Sequence, residues 1–323
     1  MPLEPPLISL HQVSKRFDNG LQALQQVSLE VAAGEFVALL GPSGCGKSTV
    51  LRLVAGLDQA SAGQVQAPAL RSAGTPGGAD STAFVFQEPT LMPWATLFDN
   101  VWLPLRLQGR SRQASAPAVR AVLARVGLAE FERAHPTQLS GGMKMRASIA
   151  RALVIRPRVL LMDEPFAALD DITRQALNAD LLQWWRPAHA DRDAGGAGGA
   201  GGAGGAGGAG GAGDGHDERM ATLFVTHSVA EAVFLSQRVL VMAARPGRVV
   251  AEVLITAPYP REASFRHSPA FLAACRQLGD ALLQAHTTEP ASIDLPLHPP
   301  AQASIHAAAA TPDPIAPAGA VTR

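Results

Sequence analysis

The apolar run Phe36-Val37-Ala38-Leu39-Leu40 passes directly into Gly41-Pro42-Ser43-Gly44-Cys45-Gly46-Lys47-Ser48-Thr49. A short apolar run ahead of the pattern G-x-x-x-x-G-K-[ST] predicts a strand buried in a sheet, a loop that holds phosphates, and a helix over 48–55. Glycines let the backbone curl so that successive N–H groups point at phosphate oxygens, and the helix adds the positive end of its dipole. Lys47 supplies a mobile charge for the β- and γ-phosphates, and the Ser48 hydroxyl is placed to ligate Mg²⁺. A glycine-rich turn that matches by chance is the bland alternative, and the strand and helix on either side weigh against it.

The other strand-like runs fit the same plan. Ala83 to Phe86, Val159-Leu160-Leu161-Met162 and Thr222-Leu223-Phe224-Val225-Thr226 are short and almost wholly apolar, as buried parallel strands are. Residues 8–31 instead alternate apolar and polar about Asp18-Asn19-Gly20, which predicts an antiparallel sheet ahead of the phosphate loop. From Glu88 to Leu128 the spacing turns helical, with Pro89, Pro93, Pro104 and Pro117 as punctuation, so a helical insertion is expected over about 88–157. The fold expected is α/β with a parallel sheet whose ligand site lies at the carboxyl ends of its strands.

The first 260 residues are expected to form this domain, with a helical extension at 261–286. Between the helix ending near Trp185 and the strand at Thr222, residues 194–213 repeat Ala-Gly-Gly and carry no side chain able to pack. A flexible loop spanning roughly 25 Å as a random coil is expected there. The Ala- and Pro-rich stretch over 287–323 reads as a disordered tail.

Lys plus Arg and Asp plus Glu both number 27, so the chain has none of the positive excess that binding a nucleic-acid backbone needs. Cys45 and Cys275 are too few for a disulfide framework, and a reducing compartment is expected. Cys45, among phosphate-binding amides at a helix N-terminus, is expected to be a reactive thiolate that nucleotide protects. The first residues do not follow a secretory leader's pattern, and no apolar run reaches the roughly 18 residues of a membrane span.

Asp163-Glu164 stands at the end of the Val159–Met162 run, which places two carboxylates on the edge where the phosphate loop opens. Asp163 is suited to the Mg²⁺ shell, and Glu164 to orienting or deprotonating a water that attacks the γ-phosphate. Leu139-Ser140-Gly141-Gly142-Met143 then precedes a helix expected near Lys144, and here the chain resembles one family, the ATP-binding subunits of ABC (ATP-binding cassette) transporters. The family's usual Leu-Ser-Gly-Gly-Gln has Met143 in place of glutamine. Serine, glycine amides and a helix N-terminus still supply the anion-binding chemistry; read alone, Ser140 would be an ordinary helix cap.

The resemblance runs in order over residues 8–260 and implies an ABC-type ATPase core with an N-terminal antiparallel subdomain and a helical subdomain. By resemblance, Phe17 stacks on adenine, and Gln87 senses Mg²⁺ and the attacking water. Ala168-Leu169-Asp170 crosses a dimer interface, and His227 contacts the γ-phosphate. The family implies a head-to-tail homodimer with each ATP between Gly41–Thr49 of one subunit and Ser140, Gly141 and Gly142 of the other. It also implies membrane permease subunits met near Gln87 and Trp94, a periplasmic solute-binding protein, and a peripheral place on the cytoplasmic face of a bacterial inner membrane. Glu88-Pro89-Thr90-Leu91-Met92-Pro93-Trp94, Gly142-Met143-Lys144-Met145-Arg146 and Tyr259-Pro260-Arg261 resemble the subgroup that powers uptake of nitrate, sulfonates or taurine.

A cassette ATPase unlinked to transport is the alternative. Its repair-type form would need sustained heptads between Thr49 and Leu139, and its translation-type form a second phosphate loop; neither pattern is present. A GTPase or kinase would not need Leu139–Gly142 with Asp163-Glu164 and His227. A catalytically dead binder would not need Lys47, Asp163, Glu164 and His227 together.

Overall fold

The computed structural model describes residues 5–71, 82–185 and 220–287. The Ala-Gly-Gly repeat at 194–213 and the tail beyond residue 287 lie outside the described residues.

Two sheets organise the chain. The first joins β1 (Ile8–Arg16) antiparallel to β2 (Gln22–Val31) and to β4 (Ala62–Gln66), in the order β2-β1-β4. Asp18-Asn19-Gly20 makes the β1–β2 turn: the Gly20 N–H donates to the Phe17 carbonyl, and Gly20 has φ +82°, which glycine adopts without strain. Alternation does its work here, since Leu24, Val27, Leu29 and Val31 are buried while Glu30 is exposed.

The second sheet contains β3 (Phe36–Leu40), β5 (Thr82–Val85), β6 (Val159–Asp163), β7 (Ala221–Thr226), β8 (Arg238–Ala243) and β9 (Arg248–Leu254). Its order is β5-β6-β7-β3-β8-β9, parallel except for the antiparallel edge strand β9. Both faces are covered, which is why its strands read as continuous apolar runs. Phe36, Ala38 and Leu40 face a large core shared with most of the helices, whereas Val37 and Leu39 face a second core under the antiparallel sheet. β3 is thus sandwiched between two layers.

The helices are α1 (Lys47–Val54), α2 (Pro68–Arg71), α3 (Leu97–Leu107), α4 (Arg112–Arg125), α5 (Gly141–Leu153), α6 (Asp171–Trp185), α7 (Val229–Leu235) and α8 (Pro269–Thr287). Thr96, Ser111, Ser140 and Ser228 cap α3, α4, α5 and α7 by accepting from a backbone N–H in the first turn. Two readings of the sequence are corrected. The helix after Ser140 begins at Gly141 rather than near Lys144, because the Ser140 hydroxyl accepts from the Met143 N–H and starts the helix. Pro104 and Pro117 lie inside α3 and α4 instead of ending them. The buried faces of those helices, with Val101, Leu105, Val119 and Leu123, outweigh one missing backbone bond each.

Arg261 explains the Tyr259-Pro260-Arg261 segment. Its buried guanidinium donates to the carbonyls of Phe234 and Ser236 at the end of α7 and to Ile255 after β9, tying the approach to α8 onto the sheet. Burial lowers its pKa to about 10. No helix among the described residues is long and apolar enough to cross a membrane.

Candidate nucleotide site

Parallel register brings the site together. β5 meets β6 at Val85 and Met162, β6 meets β7 at Asp163 and Val225, and β7 meets β3 at Thr226 and Leu40. The residues leaving these strands, Gln87, Glu164, His227 and Gly41, therefore emerge along one carboxyl edge, where a ligand binds in a sheet of this kind.

The loop from Gly41 to Ser48 closes over that edge. Gly46 is the N-cap of α1 with φ +93°, and a Cβ there would stand 2.5 Å from Leu24 Cδ2, so only glycine fits. Gly44 also has positive φ. Unlike α3, α4, α5 and α7, α1 receives no side-chain cap, which leaves its first N–H groups turned to the loop. Lys47 is only 4% exposed, and its ammonium donates to the carbonyls of Gly41 (2.8 Å) and Pro42 (2.9 Å) while lying 3.6 Å from Glu164 Oε1. The Ser48 hydroxyl donates to Asp163 Oδ1 at 2.9 Å. An uncapped helix start, a buried ammonium and a hydroxyl beside a carboxylate form a donor set that fits a triphosphate with a hard divalent cation. Burial pushes the Asp163 carboxyl above its ordinary range, with Glu164 adding to the effect and Ser48 and Lys47 opposing it.

Glu164 is held from three sides. Its backbone sits at φ +45°, a region that costs a residue other than glycine about 1 kcal/mol or more, and its N–H donates to the Val225 carbonyl. One carboxylate oxygen faces Lys47, and the other lies 3.0 Å from His227 Nδ1. Residues in such strained conformations cluster at functional sites.

Other expected residues lie at the margins. Gln87 is exposed just past the end of β5. Phe17 is half-exposed at the end of the β1–β2 hairpin, with the Lys15 ammonium 5.1 Å from its ring centre. Ser140, Gly141 and Gly142 belong to a different cluster: a Cβ on Gly141 would meet Leu169, and one on Gly142 would meet Thr173. The chain gathers Gly41–Ser48 with Asp163, Glu164 and His227, and turns the Ser140–Gly142 segment toward Leu169 and Thr173.

Cys45 corrects an expectation. Its side chain is wholly buried, and burial pushes the thiol pKa up despite the nearby Lys47. Modification at Cys45 should be much slower than at a free thiol, both with and without MgATP, when peptides are quantified by mass spectrometry. Rapid labelling at Cys45 would contradict this burial.

Gly247 was missed. A Cβ there would fall 2.1 Å from the Cys45 carbonyl and 2.8 Å from the Ala23 carbonyl, so the β8–β9 turn supports the phosphate loop from behind. Its N–H donates to Ala23 and its carbonyl accepts from Gln25, fixing that approach. A Pro-Gly pair such as Pro246-Gly247 is a turn pattern that could have been read, but it does not say what the turn packs against. Gly247→Ala should weaken nucleotide binding about tenfold or more by displacing the loop, measured by titration with a fluorescent ATP analogue. Unchanged affinity would show that the turn yields instead.

Comparison with known proteins bears on the site as a whole. Residues 24–167, which span the loop, the signature segment and Asp163-Glu164, match the ABC transporter family. An ABC transporter ATP-binding protein of Methanocaldococcus jannaschii is 40% identical over 79% of this chain and 84% of its own length. An aliphatic sulfonates import ATP-binding protein of Burkholderia cenocepacia is 37% identical over 88% and 90%. A nitrate import ATP-binding protein of Synechocystis is 39% identical over 74% and 78%. Among solved structures, a Clostridium perfringens ABC transporter component shares the fold (TM-score 0.62, 20% identity, 87% of this chain and 97% of that one). A dimeric ATP-binding cassette bound to ADP and phosphate matches with TM-score 0.59 and 28% identity, over 78% of this chain and all of that one. With its phosphate loop, its paired carboxylates and relatives of this closeness, the chain belongs to the ATP-binding, ATP-hydrolysing proteins of ABC transporters.

Proposed function

We propose that this chain is the ATPase subunit of an importer for a small solute such as nitrate, a sulfonate or taurine, and that its Glu164–His227 pair drives hydrolysis. The carrying observation is the convergence of Lys47, Ser48, Asp163, Glu164 and His227 on one sheet edge, with Glu164 hydrogen-bonded to His227. Gly41, Pro42, Ser43, Gly44, Cys45, Gly46 and Thr49 belong to the loop that holds the phosphates, Lys47 neutralises them, and Phe17 offers a face to the base. Ser48 and Asp163, with Gln87 at the same edge, would hold Mg²⁺, which supplies charge neutralisation at the phosphates. Glu164 takes a proton from the attacking water as the new bond to the γ-phosphorus forms and the bond to the ADP oxygen breaks. His227 keeps that carboxylate aimed.

Ser140–Gly142 stands apart from its own chain's loop, which supports a head-to-tail homodimer in which each site takes its signature segment from the other copy. Trp94, 77% exposed just after the segment that follows Gln87, offers an apolar contact for membrane-embedded permease subunits. On this reading the chain sits peripherally at the cytoplasmic face of the inner membrane and works with a periplasmic solute-binding protein. The sulfonate and nitrate import names of the relatives support the solute class.

The test is purification of a Glu164→Gln variant from detergent-solubilised membranes in MgATP, followed by mass spectrometry of what accompanies it. Recovery with a multi-spanning permease supports the importer reading. Recovery as a dimer without membrane protein moves the assignment to a cassette ATPase unlinked to transport.

A further inference from the structure

Beneath the site lies a buried polar cluster that the hydrolytic scheme above does not use. Glu231, on α7, is 6% exposed, and its Oε2 accepts from the Thr226 hydroxyl at 2.6 Å. The Thr226 hydroxyl accepts in turn from the Ser228 N–H, and the Ser228 hydroxyl accepts from the Glu231 N–H. These three bonds bracket His227 on both sides, so its backbone cannot shift without moving the Glu231 carboxylate.

The other carboxylate oxygen faces α6. Glu231 Oε1 lies 4.0 Å from Arg174 Nε, both atoms are buried and too far apart for a hydrogen bond, and the buried Asn178 amide lies against the same carboxylate. Arg174 is anchored at its other end, donating to the Leu169 carbonyl at 2.8 Å and pairing with Asp171 at 3.3 Å. Leu169 and Thr173, on either side of that anchor, are the residues against which Gly141 and Gly142 pack. A path of neighbouring groups therefore runs from the signature segment through Leu169, Arg174, Glu231 and Thr226 to His227 and Glu164. One link, between Arg174 and Glu231, is left open by about the movement of a single side chain. A buried charged pair at that separation has room to shorten, and a coupling between sites requires an element with two such arrangements.

We propose that Arg174 and Glu231 are positioning residues that close onto one another when the Ser140–Gly142 segment is engaged, and so make the aim of His227 on Glu164 depend on that engagement. The inference rests on the hydrolytic reading of Glu164 and His227 and deepens it. Neither Arg174 nor Glu231 touches nucleotide; each acts through its neighbour.

The experiment measures steady-state ATPase activity, ATP affinity and melting temperature for the full chain and for Glu231→Gln, Arg174→Met, Arg174→Lys, Thr226→Val and the Glu231→Gln/Arg174→Met double variant. Expected is a fall of about tenfold in kcat for the Gln, Met and Val singles with KM within about twofold, and partial rescue by Arg174→Lys. The double variant should be no slower than the worse single. Wild-type kcat in the singles, effects that multiply in the double, or losses shared by KM and melting temperature would overturn the relay. Thr226→Val is nearly isosteric and keeps the test decisive if a charge substitution fails to fold. If Glu164→Gln and His227→Ala themselves retain turnover, the hydrolytic reading falls and takes the relay with it. If those two lose turnover while the relay variants keep it, only the relay is overturned.

Discussion

Glu164→Gln is expected to lower ATP turnover by about a thousandfold while ATP binding persists, because it removes a base and leaves the phosphate cradle intact. Glutamine is isosteric and can still bond His227 Nδ1, so the edge of β6 and β7 should keep its geometry. It also removes a negative charge 3.6 Å from Lys47, which favours the phosphates if it changes binding at all. Phosphate release under single-turnover conditions and equilibrium binding of a fluorescent nucleotide separate the two effects. Turnover within about threefold of wild type would exclude Glu164 as the base.

Lys47→Ala is expected to act on the other side, cutting nucleotide affinity about a hundredfold or more and abolishing turnover at ordinary ATP concentrations. The ammonium is the buried cation of the loop, donating to the Gly41 and Pro42 carbonyls and to Cys45 Sγ and lying 3.6 Å from the Glu164 carboxylate. Removing it leaves two carbonyls and a carboxylate less well satisfied, so melting should fall by the equivalent of about 1 kcal/mol while the fold persists. Calorimetric titration with MgATP checks the affinity, and thermal unfolding checks the fold. Arginine should not rescue the site, because its planar fork cannot turn both to the loop carbonyls and to a phosphate as a compact ammonium can.

What could be read from the chain divides along a physical line. Local grammar was legible: Asp18-Asn19-Gly20 turns a hairpin, Phe36–Leu40 is buried on both faces, and Ser140 caps a helix. The carboxylates at 163 and 164 could be placed at a strand end because apolar runs of four or five residues have few other fates. The strand order was not legible, since parallel neighbours are set by crossover connections and packing rather than by any residue pattern; that β7 lies between β6 and β3 became visible only in register. β8 and β9 went unread for a related reason, as their partners are distant in sequence and their turn offered only Pro246-Gly247.

Charge environment was harder still. Cys45 looked reactive from its neighbours in sequence, yet its thiol lies wholly inside the core under the antiparallel sheet, where desolvation outweighs the Lys47 charge. Glu231 carries no pattern in the sequence that marks it, and only the packing of α7 against α6 brings it to Arg174. Proline told less than expected for the same reason: in α3 and α4 tertiary packing overrides it.

The central claim is that each ATP is hydrolysed at a site built from the phosphate loop of one copy and the signature segment of another. Mixing two inactive chains, Lys47→Ala and Ser140→Arg, tests it most directly. In a mixed dimer both defects fall in one site, and the other site is built from an intact loop and an intact signature segment. Equal mixing is expected to restore about a quarter of wild-type turnover, since about half the dimers are mixed and each carries one sound site of two. A mixture that stays as inactive as its components, although the chains exchange, would contradict the shared site.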